Sequence, residues 1–237
     1  MKKLFFLFLG TLAFVWSGCN KKTDDIEFGR DVPAIVGYDY VNSLPLLITA
    51  GETLHAPELR QYLAHSLLKE DDVILADFLL NNSRQTMEDY RTVTNLDYWK
   101  LGVTSPVTDG EDDNGRFTPV EDMFLYDMII HDRMCIIFAG FKHSSYFRDY
   151  DYEMTYDPDE AGLTPTISLR AKTRGAEYQT KVEYWQPYAF SMYDFLMSLE
   201  RDSENRASFN LRYKTDEDSD GNEVWENWKY NPVSIPF

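Results

Sequence analysis

Four apolar stretches stand early in the chain, each closed by a polar or turn-forming break: "PAIVGYDY", "LPLLITA", "DDVILADFLL" and "YRTVTNLDYWKL". Short runs rich in β-branched and aromatic residues, bounded by Gly, Pro, Asn or acids, predict strands. Between the second and third lies "APELRQYLAHSLLKEDD", the one convincing helical pattern. Pro57 suits a first helical position, and Leu59, Tyr62, Leu63, Ser66 and Leu67 fall on one face. A small set of strands with one short helix before the last two predicts a closed or partly closed barrel of the OB type over residues 32–101.

The periodicity stops at "GVTSPVTDGEDDNGRFTPVE", residues 102–121, whose Gly, Pro, Asp and Thr content predicts a linker. Beyond it, "DMFLYDMIIHDRMCIIFAGF", "DYDYEMTY", "TPTISLRAKT", "YQTKVEYWQPYAF", "RASFNLRYKT" and "NEVWENWKY" predict an antiparallel β-sandwich over residues 122–237. Alternation is cleanest where Tyr150, Tyr152, Met154 and Tyr156 take one face and Asp149, Asp151, Glu153 and Asp157 the other. "SMYDFLMSL" reads as one or two helical turns, and no repeat occurs at solenoid or propeller spacing. The predicted fold class is mainly β: a small OB-like barrel with one short helix, then an antiparallel β-sandwich.

The first residues follow a different pattern. Lys2 and Lys3 precede an apolar run from Leu4 to Val15. A helix needs about 20 apolar residues to cross a bilayer, so this run fits the core of an export signal instead. It ends in Ser17-Gly18-Cys19, with no A-x-A-like cleavage site. That ending resembles the lipobox of bacterial lipoproteins, and the resemblance implies acylation of Cys19 and cleavage before it. Residues 1–18 are then the signal peptide and residues 19–31 a polar tether. Each buried CH₂ of an acyl chain contributes about 0.8 kcal/mol, so several chains anchor firmly. The expected location is the outer membrane, on its periplasmic or cell-surface side. "NKKTDD" loosely resembles the short acidic segment that directs some lipoproteins of Bacteroidota to the outer face.

Charge narrows the choice of partner. The formal charge is −17, and removing a leader with two lysines and no acid takes it to −19. A body this acidic repels phosphate backbones, so nucleic acid is not an expected partner. Anionic lipid is repelled as well, which leaves the acyl group at Cys19 as the expected link to the membrane. Cys135, within "RMCIIFAGF", is the only other cysteine, and a buried, inert thiol is expected there.

Candidate chemistry is sparse. In "TDEDSDGNEVWEN", Asp216, Asp218, Asp220 and Gly221 match the first half of a calcium loop, but its twelfth position is Asn227 rather than Glu. An acidic hairpin tip with Asp-Gly at its turn accounts for the same residues without metal. His55, His65, His131 and His143 form no zinc-type pair, and no nucleophile elbow or phosphate loop is present. No catalytic residue and no cofactor are therefore assigned, calcium apart. Val224, Trp228 and Tyr230 share a strand face that reads as core. Trp225 falls on the opposite face with Glu223, Asn227 and Lys229, where an indole can stack on a sugar, anchor a partner or cover a neighbouring sheet.

The order of parts resembles the NigD-like lipoproteins of Bacteroidota. The likeness runs through the lipobox cysteine, "VGYD…PLLIT…APEL…DDVILADF", "DRMCIIFAGF", "TISLRAKTRGA" and a closing hairpin. The resemblance implies an N-terminal OB-like barrel with a C-terminal β-sandwich, and the family name implies a bacteriocin-associated or immunity-type role. The expected function is that of a membrane-anchored, non-enzymatic binding module with a protein or glycan partner. Two alternatives stand beside it: a surface protein that binds carbohydrate through Trp225, with calcium assisting, and a hydrolase whose site assembles only in the fold.

Overall fold

The structure, a computed structural model, describes residues 26–85, 90–108, 117–147, 149–157 and 164–236. Cys19, the signal segment and the middle of the 102–121 stretch lie outside these residues. Strands dominate. The first five are β1 (Ile26–Asp39), β2 (Leu44–Ile48), β3 (Thr53–His55), β4 (Val73–Gln85) and β5 (Arg91–Lys100), with helix α1 (Leu59–Ala64) between β3 and β4. They close in the order β1-β2-β3-β5-β4, β1 returning to β4 and β3 lying parallel to β5. This is the OB arrangement that the sequence predicts.

Closing a sheet this small requires a sharp bend, and β1 supplies it. Its pairing with β4 shifts between Gly29 and Val32, where Asp31 takes a left-handed conformation (φ 49°) and its N–H donates to Asp77 Oδ1 at 2.7 Å. A Cβ at Gly29 would lie 2.6 Å from the Phe78 ring, so the bend also needs a glycine. β1 starts at Ile26, within the stretch read as tether. Ile26 and Phe28 are exposed, so this end is held by backbone pairing to β4 and leaves no apolar signature.

Helix α1 is shorter than its pattern predicts. Ser66 turns left-handed (φ 57°), and the N–H groups of Leu67 and Leu68 both return to the carbonyl of Tyr62. The reversal exposes Leu67 and buries Leu68 in its place. Leu59 is buried against the barrel core, with Tyr62 and Leu63 packed beside it.

The second half stacks two sheets. One has the order β6 (Val103–Thr104), β13 (Val182–Ser191), β10 (Met134–Ser145), β9 (Asp122–His131). The other runs β15 (Glu223–Asn227), β14 (Arg206–Glu217), β12 (Thr166–Arg174), β11 (Asp149–Tyr156), β7 (Val107–Thr108), with β16 (Val233–Pro236) on β14 and β8 (Phe117–Thr118) on β12. The short strands β6, β7 and β8 come from the stretch read as linker, where two-residue pairings carry no periodicity. Not every pairing is antiparallel: β12 with β14, β11 with β7 and β13 with β6 run parallel. The cause is connectivity, because β13 crosses to the facing sheet and the chain returns as β14 beside β12. Helix α2 (Tyr193–Ser198) makes the turn between them.

Three apolar clusters result. Ala34, Val36, Leu47, Ile74, Ala76 and Phe78 fill the barrel. Ile137, Phe141, Tyr150, Tyr152, Leu169, Phe190 and Phe209 fill the sandwich. A third joins the halves: Ile35, Ile48, Val73 and Leu75 from the outside of the barrel meet Ile129, Ile136, Phe138 and Ala189 from the smaller sheet. This junction explains why "AIV", "LLI" and "VIL" are unbroken apolar runs. Both faces of those strands are covered.

At its free side β14 changes partner, from β16 at residues 206–209 to β15 at residues 212–217. The gap at Leu211 is filled by Asn231, whose Oδ1 accepts from the Leu211 N–H at 2.9 Å while its Nδ2 donates to the Leu211 carbonyl at 2.8 Å. Asn231→Ala strands that N–H, so it is expected to lower unfolding free energy in urea by about 1–3 kcal/mol. A loss below about 0.5 kcal/mol would show that water replaces the amide.

Candidate functional site

The outer face of the larger sheet carries the most organised polar chemistry among the described residues. Alternation along β11, β12 and β14 turns Tyr150, Tyr152, Leu169, Ala171, Leu211 and Tyr213 inward, leaving acids on β11 and bases on β12 and β14 to point out. The register places them in opposed pairs: Asp149 with Arg174, Asp151 with Lys172, Glu153 with Arg170. Ion pairs follow from Arg170 to Glu153 (3.8 Å) and Glu223 (2.7 Å), from Arg174 to Asp151 (3.3 Å), and from Lys172 to Glu153. The buried Lys214 reaches Glu217 at 2.5 Å and Glu223 at 3.3 Å. Burial pushes the Glu223 carboxyl up, but Arg170 and Lys214 outweigh it and hold the group below its usual range.

Trp225 lies half-buried in this network, opposite Lys214. The guanidinium carbon of Arg212 is 4.7 Å from its ring centre and that of Arg170 is 5.4 Å away, both within cation–π reach. The sequence reading puts Trp225 on the outward face, and it is there. What that reading misses is the pair of arginines, which come from strands far apart in the chain. Val224 and Tyr230, expected in the core with Trp228, are instead 41% and 64% exposed, and of the three only Trp228 packs against the core. β15 ends at Asn227, so Trp228 and Tyr230 follow the strand and do not continue its alternation.

The acidic loop sits at the tip of the β14–β15 hairpin. Asp218 Oδ1 accepts from the N–H groups of Asp220 (2.9 Å) and Asn222 (2.8 Å), its Oδ2 accepts from Asn222 Nδ2 (3.0 Å), and Gly221 takes a left-handed φ of 82°. The Asn222 side-chain amide and these backbone donors hold the Asp218 carboxyl below its usual range. Asp216 instead accepts from the N–H of Glu217. Among the described residues no three His, Cys, Asp or Glu side chains converge as a metal would require.

Other candidates divide between core and surface. His143 is fully buried, stacked on Tyr150 at 4.1 Å, and burial pushes its imidazole down to about 4. His131 closes the β9–β10 turn beside Asp132. Cys135 is buried and free, and burial pushes its thiol up to about 11. Phe124 and Trp185 form an edge-to-face pair at 5.1 Å on the smaller sheet, each roughly half exposed. A cleft of about 390 Å³ opens at the barrel–sandwich junction, lined in part by Asp71, Asp72, Lys100, Met134 and Ser191, and in it Lys100 is bonded to Asp72 at 2.7 Å. No helix among the described residues is long and apolar enough to cross a membrane.

No family model matches the chain, and no curated protein does. Solved structures share its fold. An uncharacterized protein from Parabacteroides merdae is 16% identical, with 86% of this chain and 97% of that one covered at a TM-score of 0.68. A putative toxin-related protein from Parabacteroides distasonis is 17% identical over 90% and 94%, at 0.54. The neighbours include a NigD-like immunity protein from Bacteroides caccae, 15% identical over 92% and 100%, at 0.49. At these identities the likeness is one of fold, and function has to be argued from the site.

Proposed function

We propose that this chain is a lipid-anchored cell-envelope protein that acts as a non-enzymatic binding module, with the outer face of its larger sheet as the binding surface. One observation carries the reading: a half-buried indole with the guanidinium groups of Arg212 and Arg170 both within cation–π reach, on an otherwise ion-paired face. Aromatic and arginine side chains held rigid at one spot are the usual anchors of recognition. Around this indole, largely buried ion pairs from Arg170, Lys172 and Lys214 hold the flanking side chains in fixed positions. The anchor rests on Ser17-Gly18-Cys19 after a charged and apolar leader. Fold neighbours that are uncharacterized or toxin-related are compatible with an interaction role.

Affinity capture from the solubilised envelope of the native cell tests the surface. The wild-type chain and Trp185→Ala should retain the same partner, while Trp225→Ala loses it at least about tenfold, a cost of about 1.4 kcal/mol or more. Equal retention by Trp225→Ala would move the binding surface elsewhere. Intact mass tests the anchor: envelope-purified chain should carry acyl mass on Cys19, and Cys19→Ser should appear in the soluble fraction. An unmodified thiol would remove the anchor without touching the binding surface.

A further inference from the structure

Every cation that β12 presents on this face stands opposite an acid on β11: Arg170 opposite Glu153, Lys172 opposite Asp151, Arg174 opposite Asp149. Arg212 does not. Its cross-strand neighbours are Ser168 on β12 and Asn227 on β15, both neutral. Its Nε donates to Ser168 Oγ at 2.7 Å, its guanidinium carbon lies 4.7 Å from the Trp225 ring centre, and no carboxylate reaches it among the described residues. Among the described residues no hydrogen bond engages either terminal nitrogen. In a chain with 40 acids and 23 lysines and arginines, a half-buried guanidinium without an acid is the exception to be explained.

A guanidinium fixed through Nε presents its two terminal N–H groups as a planar fork, the geometry that takes a carboxylate through two parallel hydrogen bonds. Here the fork is fixed before any ligand arrives. Ser168 holds one edge and the indole its plane, so little side-chain entropy remains to be lost on binding. Around it stand an indole, a serine hydroxyl and the amide of Asn227. A carboxylate seated there meets no acid among these immediate neighbours.

We propose that Arg212 is the carboxylate-binding residue of this face and that its ligand is an acidic sugar of the uronate type. Trp225 offers its indole to the sugar ring, Arg212 its fork to the ring's carboxylate, and Asn227 an amide to a hydroxyl. This rests on the binding-surface reading above and adds the ligand class to it. A glycan fits better than an acidic peptide because the site is one fork beside one aromatic ring, the size of a single pyranose. The polar groups next to it also suit hydroxyls.

Affinity gel electrophoresis of the full chain tests the assignment, with polygalacturonate, a neutral galactan or polyglutamate cast in the gel. Polygalacturonate should retard the wild-type chain, and the other two should not. Polyglutamate carries the same kind of charge, so it controls for the repulsion from the acidic body. Arg212→Gln should abolish the retardation. Arg212→Lys, which keeps the charge but loses the fork, should weaken it about tenfold or more. Both variants should keep the wild-type circular dichroism, with Tm lower by no more than about 5 °C for the lost Ser168 and Trp225 contacts. No retardation of wild type, retardation that survives Arg212→Gln, or equal retardation by polyglutamate would each overturn the assignment. If Trp225→Ala still abolishes envelope capture in those cases, the surface stands and only the ligand class falls.

Discussion

Phe138→Ala is expected to destabilise the protein by about 3–5 kcal/mol, a large part of the roughly 5–15 kcal/mol that holds a typical domain folded. Phe138 is fully buried, and it lies in neither the barrel core nor the sandwich core. Its ring fills the junction, among Ile35, Ile48, Val73 and Leu75 of the barrel and Ile129, Ile136 and Ala189 of the sandwich. Truncation leaves a cavity between the two halves, and neither can collapse inward because each is backed by its own filled core. The effect should also be uneven. Amide exchange should quicken first in β1, β2 and β4, whose outward apolar residues lose their cover, while β11 and β12 keep their protection. Urea unfolding followed by exchange mass spectrometry reads both quantities. A change below about 1 kcal/mol, or equal acceleration everywhere, would mean that the halves are not held together through this contact.

Acid should weaken the protein through His143. The ring is buried in the sandwich, with Nδ1 3.1 Å from the Pro119 carbonyl and Nε2 2.7 Å from the Tyr152 hydroxyl. A carbonyl can only accept, so Nδ1 carries the proton and donates to it; Nε2 accepts from Tyr152. Burial favours this neutral form and pushes the imidazole from 6.5 down to about 4. The folded state therefore resists a proton that the unfolded chain takes up readily. Stability from this group is complete above about pH 6.5, falls as pH drops, and is gone below about pH 4, for a total near 3 kcal/mol. Protonation at Nε2 would also turn the Tyr152 hydroxyl from donor to acceptor and leave its own proton to find another partner. Urea midpoints at pH 7, 5.5 and 4 should show the decline in the wild-type chain and a much flatter profile in His143→Gln. Parallel profiles for the two would assign the acid sensitivity to carboxylates, which titrate lower.

Much of the fold is legible along the chain because burial leaves a local record. The strands of the barrel, the helix between β3 and β4, the inward tyrosines of β11 and the outward Trp225 all follow from which residues must leave water. Local pattern also marks the leader and Cys19 as an anchor to be tested. It fails where backbone pairing acts without burial, as at Ile26–Phe28 and the two-residue strands β6, β7 and β8. It fails again at the end of α1, where one left-handed serine exchanges Leu67 for Leu68.

The candidate site divides the same way. That Trp225 faces outward is a matter of counting by twos, available to any reader of "NEVWENWKY". That Arg212 lies against it, with Ser168 on one side and Asn227 on the other, depends on β14 pairing in parallel with β12 across 44 residues. Electrostatics depends on distance in space, and sequence alone does not say which of 23 cations meets which of 40 acids. The chain by itself settles which surfaces must be hidden, because hydrophobicity belongs to each residue. Only the tertiary structure decides which charge is left without a counterpart, because that belongs to the arrangement.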